Sequence, residues 1–120
     1  MSRILVVDDE VKVSELLKRF LDSKGYEVII ATNGMAALAM VREKPPQLVI
    51  LDIMMPKVDG YHFSRLLKYD KRFKDIPIFF VSARTLKSDK QLALTCGGNE
   101  YITKPYDMNK LLDLVEKYLR

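Results

Sequence analysis

Five short apolar runs, separated by segments of helical periodicity, restrict the possible folds of this chain more than any other feature. The runs are ILVV (4–7), EVIIA (27–31), LVIL (48–51), IFFV (78–81) and the weaker YI (101–102). Unbroken runs rich in β-branched and aromatic residues mark strands covered on both faces, because a half-exposed strand would alternate with polar residues. Between them, VSELLKRFLDSKG (13–25) brings Val13, Leu16, Leu17, Phe20 and Leu21 to one helical face and stops at Gly25. GMAALAMVREK (34–44) halts at Pro45–Pro46. YHFSRLLKYDKRF (61–73) carries Phe63, Leu66 and Leu67, and LKSDKQLALTCGG (86–98) ends at two glycines. DMNKLLDLVEKYL (107–119) repeats Leu111, Leu112, Val115 and Leu119 behind Asp107, a good N-cap.

Strand and helix thus alternate five times. Such alternation calls for an α/β fold with a parallel sheet and helices on both faces. Right-handed crossovers prune the topologies, and a doubly wound, flavodoxin-like (βα)5 sheet with strand order 2-1-3-4-5 is the expected one of the common orders. The 120 residues suit one domain, 1–120, and a 48% apolar fraction supplies its core. The net charge of +4 comes from scattered Lys and Arg, with one looser group at Lys68, Lys71, Arg72 and Lys74. Without a helix-turn-helix pattern, zinc spacing or aromatic-basic ladder, these read as solvated helix faces and not as a nucleic-acid stripe. Cys96 is the sole cysteine, so no intrachain disulfide forms, as expected in a reducing cytoplasm. No run approaches the ~18 apolar residues of a membrane span, and MSRILVV lacks the long apolar stretch of a signal peptide. A cytoplasmic location without membrane contact is expected.

In such sheets the working site lies outside the carboxyl ends of the strands, where the strand order reverses. That point falls between the first and third strands, which end in Asp8–Asp9–Glu10 and in Asp52. Carboxylates gathered at one edge repel and require either a proton or a cation, and an oxygen-only cluster suits Mg²⁺. Lys104, just past the fifth run, adds an ammonium, and Ser82, ending the fourth, adds a hydroxyl. Acids, an ammonium and a hydroxyl together are what phosphoryl transfer onto a carboxylate requires. The first turn is acidic and contains no glycine. It therefore repels a free nucleotide, against a phosphate-cradling loop of the Rossmann or P-loop kind.

ILVVDDE (4–10), LVILDIMMPKVDG (48–60), FFVSA (79–83) and GGNEYITKPYD (97–107) together resemble the receiver domains of bacterial two-component response regulators, over essentially the whole chain. The resemblance implies that Asp52 is the phosphoacceptor. It implies Mg²⁺ held by Asp9 and Asp52, by the Met54 carbonyl, and by Asp8 through water. It also implies that Lys104 pairs with the phosphoryl group ahead of a cis peptide to Pro105, and that Ser82 and Tyr101 form the switch. Asp59–Gly60 is expected to start the third helix.

The phosphoryl group would come from a histidine kinase or histidine phosphotransfer protein. The signal would leave through the face of the fourth helix, fifth strand and fifth helix, toward a downstream effector or fused output domain, with dimerisation on phosphorylation. Nucleic acid would be met only through an output domain outside this sequence, which ends at Arg120. Both a free-standing regulator and a receiver cut from a longer protein stay open. The chain would catalyse only its own phosphorylation and dephosphorylation, without an external turnover substrate.

Gly98 stands where many receivers have Ala, and is expected to loosen the turn before the last strand. Met54 and Arg84, at the positions that tune dephosphorylation in the family, are long enough to shield the phosphoryl group from water. Two other classes compete with the receiver reading. A haloacid-type phosphohydrolase would want an acid where Met54 stands. A flavodoxin-like carrier is opposed by the acidic first turn and the absence of tryptophan.

Overall fold

The computed structural model describes residues 2–53, 60–83 and 87–119. Its elements alternate as β1 (Arg3–Val7), α1 (Val11–Ser23), β2 (Glu27–Ala31), α2 (Gly34–Glu43), β3 (Leu48–Asp52), α3 (Gly60–Lys68), β4 (Ile78–Ser82), α4 (Lys87–Thr95), β5 (Glu100–Thr103) and α5 (Met108–Leu119). The strands form one parallel sheet in the expected order β2-β1-β3-β4-β5. Odd and even strand positions feed two cores. Ile4, Val6, Ile50 and Phe79 pack with Leu17 and Leu21 of α1 and with Leu111 and Val115 of α5. Leu5, Val7, Leu51 and Phe80 face the other way, onto Ala37, Phe63 and Ala93 of α2, α3 and α4. Both faces of the central strands are covered, which is why their sequences read as continuous apolar runs.

The register brings the strand exits level. Val7 lies opposite Ala31 on one side and Leu51 on the other, Asp52 opposite Val81, and Ser82 opposite Thr103. The residues that leave β1, β3, β4 and β5 therefore emerge along one edge.

Local chemistry sets the helix ends. Gly25 closes α1 with φ +95°, a conformation that costs glycine little. The Asn33 side chain accepts a hydrogen bond from the Ala36 N–H and so starts α2. The Asp107 carboxylate accepts from the N–H groups of Asn109 and Lys110 at the head of α5.

Two helical expectations are corrected. α3 stops at Lys68 instead of running to Phe73. Its chain turns at Asp70, whose carboxylate accepts the Arg72 N–H at 2.9 Å and offers the backbone an alternative to helix. The Lys68 ammonium then donates to the Lys74 and Ile76 carbonyls and ties the turn down. Leu16 and Leu66 are exposed, at 59% and 41%. The buried stripe of α1 runs instead through Ser14, Leu17 and Leu21, where Ser14 satisfies its hydroxyl on the Glu10 carbonyl.

Gly98 also has a different reason from the expected one. Gly97 carries the positive φ of this turn. A Cβ on Gly98 would fall 2.3 Å from the fully buried Phe80 ring and 2.9 Å from the Ala93 carbonyl oxygen. The missing side chain makes room for a large neighbour. Gly98→Ala is expected to cost about 1–3 kcal/mol through overpacking. The Phe80→Leu/Gly98→Ala double variant should cost less than the sum of the two single changes, measured by urea unfolding. Strict additivity would mean that the ring is not what fills the space.

Candidate phosphoacceptor site

Asp8 follows β1 directly. Its N–H donates to the Ala31 carbonyl at 3.1 Å, which continues the sheet's bonding one residue past the strand. Its side chain is turned inward and only 4% of the residue is exposed, whereas the next residue, Asp9, is exposed. Glu10 stands at the N-cap of α1, where its carboxylate makes no capping bond. Its backbone is held on both sides: its N–H donates to Asp8 Oδ1 at 2.9 Å, and its carbonyl accepts from Ser14 Oγ. Asp52 is the last residue of β3 and is buried among apolar strand neighbours.

Lys104 joins these groups from the far side. Its backbone N–H donates to the Ser82 carbonyl at 2.7 Å, and the peptide to Pro105 is cis. Its Nζ lies 2.9 Å from Asp8 Oδ2, 3.0 Å from Glu10 Oε1 and 3.4 Å from Asp52 Oδ2. Burial disfavours the ammonium, but the hydrogen bonds to Asp8 and Glu10 and the charge of Asp52 outweigh it. Lys104 is thereby held above its ordinary value and stays charged throughout the neutral range. Carboxylate oxygens of Asp8, Glu10 and Asp52 come within 4.8 Å of one another. Three carboxylates against one ammonium leave a formal charge of −2, which one divalent cation would balance.

Asp8, Asp52 and Lys104 are thus brought together. Ser82, 1% exposed, ends the neighbouring strand, and Tyr101 lies half-buried on β5 opposite Phe80, against the core beneath α3 and α4. Asp9 lies outside the carboxylate group just described. Met54, Asp59 and Arg84 lie outside the described residues, and α3 begins at Gly60. Gly60 is pressed onto the exit of β3: a Cβ there would sit 2.8 Å from the Asp52 carbonyl oxygen. Glu10 is the site residue that sequence reasoning left without a role. Its position after two aspartates was the available signal, but its reach to Lys104 depends on a rotamer that sequence does not specify.

Tyr106, half-buried beside the acids, has its phenol pushed up to about 12, first by burial and then by the charge of Asp8, with Lys104 opposing. The folded state therefore holds this proton more tightly than the unfolded chain, whose tyrosine titrates near 10. The resulting stabilisation is complete below pH 10 and is lost as pH rises toward 12. Lys104 adds a loss of the same sign above its ordinary value of 10.5. Tyr106→Phe should flatten the fall in stability between about pH 10 and 12. Urea midpoints across that range give the test, and an unchanged slope would remove Tyr106 from the account.

Residues 4–116 match the family model described as response regulator receiver domain. The chain belongs to the response regulator receiver family. Over 120 residues it is 37% identical to the DNA-binding dual master transcriptional regulator RpaA of Synechocystis, covering all of this chain and 50% of that protein. Like that comparison, the other leading ones show a receiver chain about half the length of its curated relatives. Among solved structures, a putative response regulator from Chloroflexus aurantiacus superposes with a TM-score of 0.93 at 31% identity, over 98% of this receiver and 97% of that chain. The receiver domain of a sensor histidine kinase from Pseudomonas aeruginosa, with magnesium coordinated in its active site cleft, gives 0.89 at 25% identity over 98% and 96%. No helix among the receiver's described residues is long and apolar enough to cross a membrane.

Proposed function

We propose that this receiver accepts a phosphoryl group on Asp52 in the presence of Mg²⁺ and signals by a change of shape. The observation that carries the reading is the convergence of Asp8, Glu10 and Asp52 on the Lys104 ammonium at the sheet edge. The donor set fits the ion: it offers only hard carboxylate oxygens, its formal charge calls for a dication, and two of its acids are buried. Asp52 with Asp8 or Asp9, and the Met54 carbonyl, would hold it. Bound there, the ion supplies charge neutralisation for the transferring phosphoryl oxygens.

The chain's own residues do the rest. An Asp52 carboxylate oxygen attacks phosphorus. An O–P bond forms as the bond to the donor breaks, and the donor's leaving group takes that electron pair. Lys104 offsets the negative charge on the equatorial oxygens, and the Ser82 hydroxyl donates to one of them. The donor is a phosphohistidine on a histidine kinase or histidine phosphotransfer protein. It would approach over a cavity of about 410 Å³ beside Lys104, lined by Val13, Ala83, Pro105 and Met108 among others. No external substrate is turned over.

Ser82 moving toward the phosphoryl group draws in the exit of β4, and Tyr101 then seats more deeply. The face of α4, β5 and α5 presents the new state to an effector or output domain, or to a second copy. Swinging this equilibrium nearly completely takes about 5.5 kcal/mol of differential stabilisation, within reach of a few charge-assisted hydrogen bonds. The proposed setting is cytoplasmic. The test uses acetyl phosphate as the donor: intact-mass spectra should show one added phosphoryl group with Mg²⁺ and none with a chelator. A phosphoryl gain that ignores magnesium, or no gain at all, contradicts the reading.

A further inference from the structure

Glu10 raises a question that the phosphoacceptor reading leaves unanswered. A side chain that caps a helix accepts a hydrogen bond from one of the first helical N–H groups. Glu10 does not; its side chain crosses the cleft to Lys104. Its backbone is fixed by Asp8 on one side and by Ser14 on the other, so only the side chain is at liberty to move. That side chain is 58% exposed, against 6% for Asp8 and 7% for Asp52. Of the three carboxylates around the ammonium, the two nearest are Asp8 and Glu10, and the proposed acceptor Asp52 is the most distant.

We infer that Glu10 is a positioning residue: a detachable latch that shares the Lys104 ammonium with Asp8 and leaves Asp52 only the longest of its three contacts, until phosphoryl transfer draws the ammonium over. The inference rests on the phosphoacceptor reading. Lys104 has to face the incoming phosphoryl oxygens, and its contact with buried Asp8 can persist while it does so. The contact with Glu10 is the one that gives way, because water is ready to receive that carboxylate. A contact present before transfer and absent after it stabilises the starting state alone, so it slows the forward step. Glu10 is the exposed end of this pair, and ion pairs open to water on one side are weak, which sets the size of the effect at about two- to fivefold.

Reach separates a latch from a general electrostatic influence. Glu10→Asp keeps the charge but is one methylene too short to span the gap, whereas Glu10→Gln keeps the length and loses the charge. At saturating magnesium and with acetyl phosphate as donor, both variants should take up the phosphoryl group about two- to fivefold faster than the wild type. Glu15→Gln, a charge change on the exposed side of α1, should not. In the metal-free protein, nuclear magnetic resonance of the lysine ammonium groups should show faster hydrogen exchange at Lys104 in both Glu10 variants. Unchanged exchange in both variants overturns the latch, as does a Glu10→Asp protein that behaves like the wild type. Failure of the wild type to accept a phosphoryl group overturns the phosphoacceptor reading instead, and the exchange measurement still decides whether Glu10 holds Lys104.

Discussion

Asp52→Asn is expected to abolish phosphoryl uptake, by at least about a hundredfold, while the protein stays folded. Losing a nucleophile commonly costs far more than that. Asparagine matches the shape of aspartate, so the buried end of β3 keeps its packing. What disappears is the anionic oxygen proposed to attack phosphorus. One charge also leaves a cluster with a formal excess of negative charge, so repulsion falls and affinity for magnesium falls with it. The experiment compares wild type and variant for phosphoryl uptake from acetyl phosphate, with circular dichroism as the control for folding. An Asp52→Asn protein that still gains the group at the wild-type rate would move the chemistry to another residue.

Lys104→Met should produce the largest change in stability at the site. It leaves Asp8, Glu10 and Asp52 facing one another without their shared ammonium. Breaking a buried ion pair by removing one partner costs roughly 3–5 kcal/mol. Here about 2–4 kcal/mol is expected at pH 7 without magnesium, because Glu10 can turn into water and a buried acid can take up a proton. Methionine keeps the length of the stem, so the loss is chiefly one of charge. Two further results distinguish this from a packing defect. Magnesium should stabilise the variant more than it stabilises the wild type, since the ion then has the carboxylates to itself. Asp8→Asn in the same background should recover part of the loss. If chemical unfolding shows equal magnesium stabilisation in both proteins, the ammonium and the ion do not share those oxygens.

The sheet was legible because nothing interrupts its apolar runs: ILVV and LVIL have one reading once strands must be covered on both faces. Strand order was chosen among the common doubly wound arrangements, with the family resemblance behind the choice, and the location of the site followed from its switch point. That placed Asp8, Asp52, Ser82 and Lys104 at one edge from sequence alone. Features that depend on side-chain direction or on distant partners were not legible. Leaving β1, the chain buries Asp8 and exposes Asp9, a choice of orientation that two adjacent aspartates do not announce. Glu10 looks like an ordinary acid at the head of a helix until its rotamer is known. The reason for Gly98 lies in the Phe80 ring of the neighbouring strand, and the early end of α3 lies in an Asp70 side chain that competes with the helical backbone. Leu16 fits the apolar stripe of α1 by spacing, yet Ser14 took the buried place.

The central claim is that crowding these acids against Lys104 readies one particular oxygen for phosphorus. Mapping the acceptor tests it most directly. The protein is treated with acetyl phosphate and magnesium, the acyl phosphate is reduced with borohydride, which converts a phosphorylated aspartate to homoserine, and the peptides are sequenced by mass spectrometry. Homoserine at position 52 and nowhere else is the expected result. Homoserine at another acid, or none in a protein that has gained the phosphoryl group, would contradict it.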